Sequence, residues 1–310
     1  MKKISVLIPS YNERDNVAPL TYEIEAIFRN KLKKYAYEII FIDNCSEDGT
    51  RAEIEKICAR NKKVKAIFNA RNFGYLRSPF YGLLQARGDC VIMIAADFQD
   101  PPEMIVEFVR AWEKGAKIVA GIKKKSRENP ALYFLRSVFY SVIRKIADVG
   151  HISHFTGFGL YDKAFIDVLR KLDDPMPYLR GMVAEFGFKR VDVPYEQQKR
   201  KAGRTKSDWW SLYDVAMLGI TSYSKMVMRL ATILGFVISG VSFMVAVLYL
   251  VLKLIFWFKF PIGTAPMIIS IFFLGSVQLF FIGFLGEYIL NINTRVMKRP
   301  LVVEERRINI

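Results

Sequence analysis

Two long apolar runs near one end constrain this chain more than any other feature. Ala231 to Phe258 is roughly 28 residues long with Lys253 as its only charge, and Met267 to Leu290 is roughly 24 with Glu287 close to its end; each is long enough to cross a hydrocarbon layer of ~30 Å with some tilt. Core helices of a soluble domain rarely run so far without charge, and the short Lys259 to Pro266 link makes the pair read as a membrane hairpin. Lys253 lies near a span end, where its stem can carry the ammonium to the interface.

The rest of the chain has a different character. Overall it is 52% hydrophobic and 25% charged over 310 residues, which fits neither a disordered chain nor an all-membrane one, so the two characters must be segregated along the sequence. Met1 to Leu230 reads as soluble protein. Lys225 and Arg229 precede the first span, and Arg295, Lys298, Arg299, Arg306 and Arg307 follow the second, against Lys259 alone in the link. By the positive-inside rule both ends, with the soluble domain, are expected in the cytoplasm of a multi-pass cell-membrane protein. The strand-like run Ile4-Ser-Val-Leu-Ile-Pro9 begins almost at once, so no secretory signal is expected. Cys45, Cys58 and Cys90 have no metal-like spacing and suit reduced thiols. The net charge of +16 suits an anionic leaflet and phosphorylated substrates; nucleic acid is disfavoured, because the aromatics collect near the spans and not among the basic runs.

Within residues 1–207, short apolar runs at Ile4 to Ile8, Glu38 to Ile42, Val64 to Phe68, Val91 to Ala95 and Lys117 to Ala120 alternate with helical patterns. This predicts an α/β domain with a mostly parallel sheet. Ligands in such sheets bind beyond the carboxyl ends of the strands. The polar segments Pro9-Ser-Tyr-Asn-Glu13, Asp43-Asn-Cys-Ser-Glu-Asp-Gly49 and Asp97-Phe-Gln-Asp-Pro-Pro102 fall there and point at one crevice. Amphipathic helices are predicted over Asn129 to Val149 and over residues 208–230, the second carrying Trp209, Trp210, Tyr213 and Tyr223 as interfacial anchors ahead of the first span at 231–258. The second span at 267–290 leaves 291–310 as a tail.

A Walker loop, a Gly-x-Gly-x-x-Gly turn after the first strand and a Cys-x-x-Cys pair are all missing, and His151 and His154 have no cysteine nearby to build zinc or triad chemistry. A crevice rich in oxygen ligands remains. Asp97 and Gln99 suit Mg²⁺ or Mn²⁺ held jointly by protein and a diphosphate, although an isolated Asp-x-Gln before Pro101-Pro102 is also ordinary turn chemistry. Lys199-Arg-Lys-Ala-Gly-Arg-Thr-Lys206 reads either as a phosphate-covering loop or as a solvated cationic linker. Lys123-Lys-Lys-Ser-Arg127 reads as a surface or phospholipid-facing run.

Taken in order, Ser5-Val-Leu-Ile-Pro-Ser-Tyr-Asn-Glu13, Asp43 to Thr50, Arg71-Asn-Phe-Gly-Tyr75, Ala96-Asp-Phe-Gln-Asp-Pro-Pro-Glu103, Thr156-Gly-Phe-Gly-Leu-Tyr-Asp162 and Arg200-x-x-Gly-x-Thr-Lys206 resemble the family 2 glycosyltransferases. The spacing and the two-helix tail are most similar to the polyprenyl-phosphate branch, which acts on undecaprenyl or dolichyl phosphate. The resemblance implies a GT-A type fold with a nucleotide-sugar crevice. It implies donor binding by Pro9, Tyr11, Glu13, Asp43, Asn72, Gly74 and Asp97, metal and diphosphate binding by Asp97 and Gln99, and closure over the diphosphate by Arg200 and Lys206. The sequence departs from the pattern in three places: Ala95 stands where an aspartate is common, Asn44 follows Asp43 where a second aspartate is common, and this chain has glycines around 157 to 159, where an acid and an arginine are frequent.

The expected activity is inverting transfer of a single sugar from a nucleotide donor, UDP being the first choice, to a polyprenyl phosphate at the cytoplasmic membrane face. The resemblance leaves room for a homo-oligomer. A processive polysaccharide synthase would share the crevice but needs more spans and a Gln-x-x-Arg-Trp motif, and a non-catalytic membrane adaptor would need only a degenerate nucleotide site.

Overall fold

The computed structural model describes residues 1–124, 152, 154–198, 217–218, 226–256 and 264–310. An eight-stranded sheet organises the soluble part, in the order β7-β5-β6-β4-β1-β2-β3-β8. The strands are β1 (Lys3–Ser10), β2 (Ala36–Asp43), β3 (Val64–Asn69), β4 (Cys90–Met93), β5 (Ile118–Lys123), β6 (Phe155–Asp162), β7 (Arg190–Tyr195) and β8 (Glu304–Ile308). β1 pairs in parallel with β2 and β4, β2 with β3, and β5 with β7, while β6 and β8 run against their neighbours. The mostly parallel sheet expected from the sequence is therefore present; each expected run overlaps one of β1 to β5, although Val91 to Ala95 runs two residues past the end of β4 and Lys117 to Ala120 starts one residue before β5.

Helices α1 (Arg14–Asn30), α2 (Thr50–Arg60), α3 (Gly74–Gln85), α4 (Met104–Glu113), α5 (Lys163–Arg170) and α6 (Leu179–Glu185) flank the sheet. Period-two alternation along β1 divides the interior into two cores. Ile4, Val6 and Ile8 join Val17, Leu20 and Ile24 of α1 on one face, while Leu7 joins Phe80 and Leu83 of α3 on the other. Burial on both faces is why β1 and β2 read as continuous apolar runs.

Glu38 interrupts the apolar run of β2 and is fully enclosed. It accepts hydrogen bonds from Lys3 Nζ at 2.5 Å, Ser5 Oγ at 2.6 Å and the Arg87 backbone N–H at 3.2 Å, with Lys65 Nζ at 2.9 Å. These donors knit β1, β2, β3 and the turn before β4 through one carboxylate.

Two long helices follow, α7 (Met226–Ile255) and α8 (Thr264–Val296). Their apolar side chains face outward: Phe236 is 76% exposed and Leu279 71%. Water would oppose such a surface, which marks it as built for another solvent or partner. Phe273–Val296 is long and apolar enough to cross a membrane, and among the described residues it is the one such segment. The segment expected as a tail contains β8, which pairs antiparallel with β3. Its charges are largely engaged with the domain: Arg295 pairs with Asp174, Lys298 with Asp173 and Arg306 with Glu55, while Arg307 donates to Tyr81 and Gln85. The expected helix over 129–149 lies outside the described residues, as does most of 208–230.

Burial raises the Glu38 pKa, but the bonds from Lys3, Ser5, Lys65 and Arg87 outweigh it and hold the carboxyl at about 2 against an ordinary 4.5. The folded-state value is depressed, so this stabilisation is complete above about pH 4.5 and is lost as pH falls from there towards 2. Glu38→Gln is expected to lower stability at neutral pH by about 2 kcal/mol and to flatten the pH dependence in that window. Urea unfolding of the two proteins at pH 7 and at several acidic pH values checks both effects.

Candidate functional site

The connections β1-β2-β3 lead one way across the sheet, while β4 lies on the other side of β1. That reversal separates the loops leaving β1 and β4 and opens a crevice beyond their carboxyl ends. A cavity of about 290 Å³ occupies it, lined by Pro9 after β1, Ala95, Asp97 and Gln99 after β4, Tyr75 and Pro79 of α3, and Lys123 at the end of β5. Asp100, Thr156 and Gln197 complete its polar wall. A larger concavity of about 440 Å³ sits at the opposite rim, where Lys114 and Lys189 adjoin aliphatic side chains. It contains Glu107 as its one carboxylate, so the smaller cavity is the chemical candidate.

The 97–100 segment gathers acidic and amide oxygens on one wall. Phe98 takes a left-handed φ of 60°, rare for a bulky residue, and its ring is buried in the core. Anchored there, it lets Asp97 and Gln99 on either side both reach the cavity. The Gln99 backbone N–H donates to Asp97 Oδ1 at 3.1 Å. Asp100 is 7% exposed and accepts from Tyr195 Oη at 2.5 Å. Burial raises the pKa of Asp100, with the Tyr195 hydroxyl and Lys123 offsetting part of the rise and nearby Asp97 adding to it. A carboxylate held so close to a second one is poised to take up a compensating cation.

Gln197 Nε2 donates to Gln99 Oε1 at 2.9 Å, and the Gln198 N–H donates to the Gln99 carbonyl at 3.1 Å. The two residues that precede the basic stretch in sequence are thereby pinned to the acidic segment. Arg200 and Lys206 themselves lie outside the described residues.

The other expected donor residues do not line the cavity: Tyr11, Glu13 and Asn72 sit in loops, Asp43 ends β2 and Gly74 begins α3. Loop 10–14 is laced to loop 43–50: the Asn12 N–H donates to Ser46 Oγ at 2.8 Å, Glu13 N–H to Thr50 Oγ1 at 2.8 Å, and Glu47 N–H to Asn12 Oδ1 at 2.9 Å. Glu13 Oε2 accepts from Asn16 at 2.6 Å, and Tyr11 is half-buried. Asp43 is fully buried; Oδ2 accepts from the Ser46 N–H at 3.0 Å and from Arg51 Nε at 2.8 Å, and Oδ1 from the Ser46 hydroxyl.

Asn44 explains one departure from the pattern. Its Nδ2 donates to Asn72 Oδ1 at 2.7 Å and to the Gly74 carbonyl at 3.3 Å, while Oδ1 accepts from the Phe73 N–H at 2.9 Å and Asn69 Nδ2 at 3.1 Å. An aspartate could supply the acceptor half alone. Asn72 and Gly74 thus form a turn held by Asn44, with Gly74 at a φ of 84°. A second departure has a packing cause: a Cβ on Gly159 would stand 2.4 Å from the Val119 carbonyl of the neighbouring strand, so no side chain fits there. Lys123, expected on a surface run, instead faces the cavity from the end of β5. Tyr195 and Arg51 gave no sequence signal at all, because their roles depend on strands distant in the chain.

The Asp97, Gln99 and Asp100 oxygens are a hard donor set suited to one divalent cation completed by phosphate oxygens, which Mg²⁺ and Mn²⁺ accept readily. No cluster of three or more His, Cys, Asp or Glu side chains able to hold a metal unaided occurs among the described residues.

The model of the family described as Glycosyl transferase family 2 matches residues 5–185. An uncharacterized glycosyltransferase of Synechocystis sp. is 32% identical over 300 residues, covering 96% of this chain and 93% of the relative. A prophage bactoprenol glucosyl transferase homolog of Escherichia coli K12 is 31% identical over 306 residues, covering 98% and 99%. The SfII prophage-derived bactoprenol glucosyl transferase of Shigella flexneri is 32% identical over 301 residues, covering 96% of each.

Replacing Asn44 by Asp is expected to remove the donors to Asn72 and Gly74 and to bury a charge beside two acceptors, costing about 1–3 kcal/mol. Thermal unfolding of Asn44→Asp checks the loss, and Asn44→Ser, smaller but uncharged, is expected to lose less.

Proposed function

This chain belongs to glycosyl transferase family 2, and from that premise we propose that it moves one sugar from a nucleotide donor to a polyprenyl phosphate at a membrane surface. It is a glycosyltransferase, and its mostly parallel sheet flanked by helices is the architecture that the GT-A reading expects. The observation that carries the finer reading is the convergence of Asp97, Gln99 and Asp100 on one cavity at the β1/β4 switch point, opposite Lys123. Relatives named for transfer to bactoprenol over nearly their whole length support the lipid acceptor.

In this reading the nucleotide lies over loops 10–14 and 43–50, and its diphosphate enters the cavity. Asp97, Gln99 and Asp100 would hold Mg²⁺ or Mn²⁺, which when bound offsets negative charge on the departing diphosphate. Arg200 and Lys206, on the stretch that begins where Gln197 and Gln198 grip Gln99, would add cationic stabilisation as that charge grows. A polyprenyl phosphate is already anionic near neutral pH, so its oxygen can attack the anomeric carbon without a dedicated base. Direct displacement inverts that centre, and the chain's contribution is positioning and charge compensation.

Topology supports a two-span anchor. β8 sits in the same sheet as β1, so both ends of the chain lie on one side of any membrane. A crossing by α8 therefore requires a second crossing, which α7 supplies. Lys225, Arg229, Arg295, Lys298 and Arg299 near the domain side, against Lys259 in the link, support a cytoplasmic domain. In intact cells, a cysteine introduced as Lys259→Cys in a cysteine-free background is expected to react with a membrane-impermeant maleimide. Labelling only after permeabilisation would reverse the orientation.

The decisive assay incubates detergent-purified protein with UDP- and GDP-sugars, Mg²⁺ or Mn²⁺ and undecaprenyl phosphate, followed by mass spectrometry of the lipids. One hexose per lipid is the expected product; a polymer, or no transfer with any donor, would refute the reading. Asp97→Asn is expected to lower turnover about 100-fold or more while the protein remains folded and membrane-bound. Near-wild-type turnover in that variant would remove Asp97 from the chemistry.

A further inference from the structure

The C-terminal strand does more than cover an edge. β8 lies against β3 with Ile67 opposite Arg307 and Phe68 opposite Arg306, and its last residues are fastened by Asn309, whose amide donates to the Cys58 carbonyl at 2.9 Å and the Val64 carbonyl at 2.8 Å. Near the start of this strand Glu305 Oε2 accepts from Arg51 Nη1 at 2.7 Å. The same guanidinium donates from Nε to buried Asp43 at 2.8 Å and from Nη2 to the Asn69 carbonyl at 2.6 Å, and it lies 5.5 Å from the centre of the Phe68 ring. Arg51 is thus a planar fork with all three kinds of nitrogen committed, and Glu305 holds the prong farthest from Asp43. A guanidinium fixed at three points cannot rotate, and through it the carboxylate of Asp43 is fixed as well.

Asp43 in turn organises the loop that follows β2. Its oxygens hold the Ser46 N–H and hydroxyl, and Ser46 holds the Asn12 N–H of the loop after β1. A side chain more than 250 positions away in sequence, just beyond the long apolar helix α8, therefore sets the geometry of both loops beside the crevice. We propose that Glu305 is a positioning residue of the nucleotide site, acting through Arg51 on Asp43, so that the donor loops reach their binding geometry only when the strand after α8 is docked. This rests on the nucleotide-sugar reading of the crevice.

A strand that merely protects the sheet edge would make a different prediction. The Arg306–Glu55 pair supplies the control, since it also ties β8 to α2 but does not touch Asp43. The test uses full-length protein in detergent, titrated calorimetrically with UDP or GDP, whichever the wild type binds, in the presence of MgCl₂. Glu305→Gln is expected to weaken nucleotide binding and raise the donor KM about fivefold, the scale of a half-exposed pair, with kcat within about twofold of wild type. Glu55→Gln is expected to leave nucleotide affinity unchanged. In an Arg51→Lys background, where an ammonium cannot span Asp43 and Glu305 together, adding Glu305→Gln is expected to cause no further loss. Equal nucleotide affinity in Glu305→Gln and wild type would overturn the proposal, as would equal losses in Glu305→Gln and Glu55→Gln or an undiminished loss in the Arg51→Lys background. If the wild type binds neither UDP nor GDP, the failure lies with the nucleotide-site reading beneath it.

Discussion

Everything functional in this protein depends on the parallel pairing of β1 with both β2 and β4. Each strand delivers its chain to the same rim of the sheet, yet the crossover helices leave on opposite faces because β4 was added on the other side of β1 from β2. The loops diverge and leave a cleft that no side chain of the core fills. Polar residues that would be intolerable among Val6, Ile40 and Ile92 can be placed there, since one side of the cleft remains open for a ligand to complete their coordination.

The cleft is held by local hydrogen bonding of unusual density. Asn44 uses both halves of its amide to fix the 72–74 turn, Asp43 fixes 46 and 51, and the 10–14 loop is sewn to the 46–50 loop by backbone donors. Such a network is rigid because each buried group would be costly to leave unpaired. Two of the departures from the family pattern have local causes: Asn44 follows from donor geometry and Gly159 from strand spacing within this chain. Against this rigid side stands the 97–100 segment, where two carboxylates share one wall and Asp100 is buried with a raised pKa. In the proposed reading these oxygens would form part of a cation site, completed by a cation that arrives with its diphosphate.

The membrane side is tied to the same sheet. α8 carries an outward apolar surface that water would oppose, and within a few residues of its end the chain forms ion pairs to Asp173 and Asp174 and then a strand on β3. The helix is consequently joined to the domain by a short structured link, which in the proposed reading would keep the crevice close to the lipid surface and raise the effective concentration of a membrane-bound acceptor.

Local patterns in the sequence determined the apolar helices, the five strands β1 to β5 and the clustering of Pro9, Asp97 and Gln99 at strand ends. Hydrophobic periodicity and turn chemistry depend on near neighbours in the chain, which is why they could be read directly. Only the tertiary structure decided the places of β6 and β8, the entry of Lys123 into the cavity, the bond of Tyr195 to Asp100, and the route from Glu305 through Arg51 to Asp43. β8 is short and carries two acids and two arginines, so its composition resembles a solvated tail. It becomes a strand because β3 offers an unpaired edge whose N–H and C=O groups need partners, and Arg51 and Glu55 of α2 lie near enough to compensate Glu305 and Arg306. Pairings of that kind are set by which distant segments meet, and no local property of the sequence encodes that meeting.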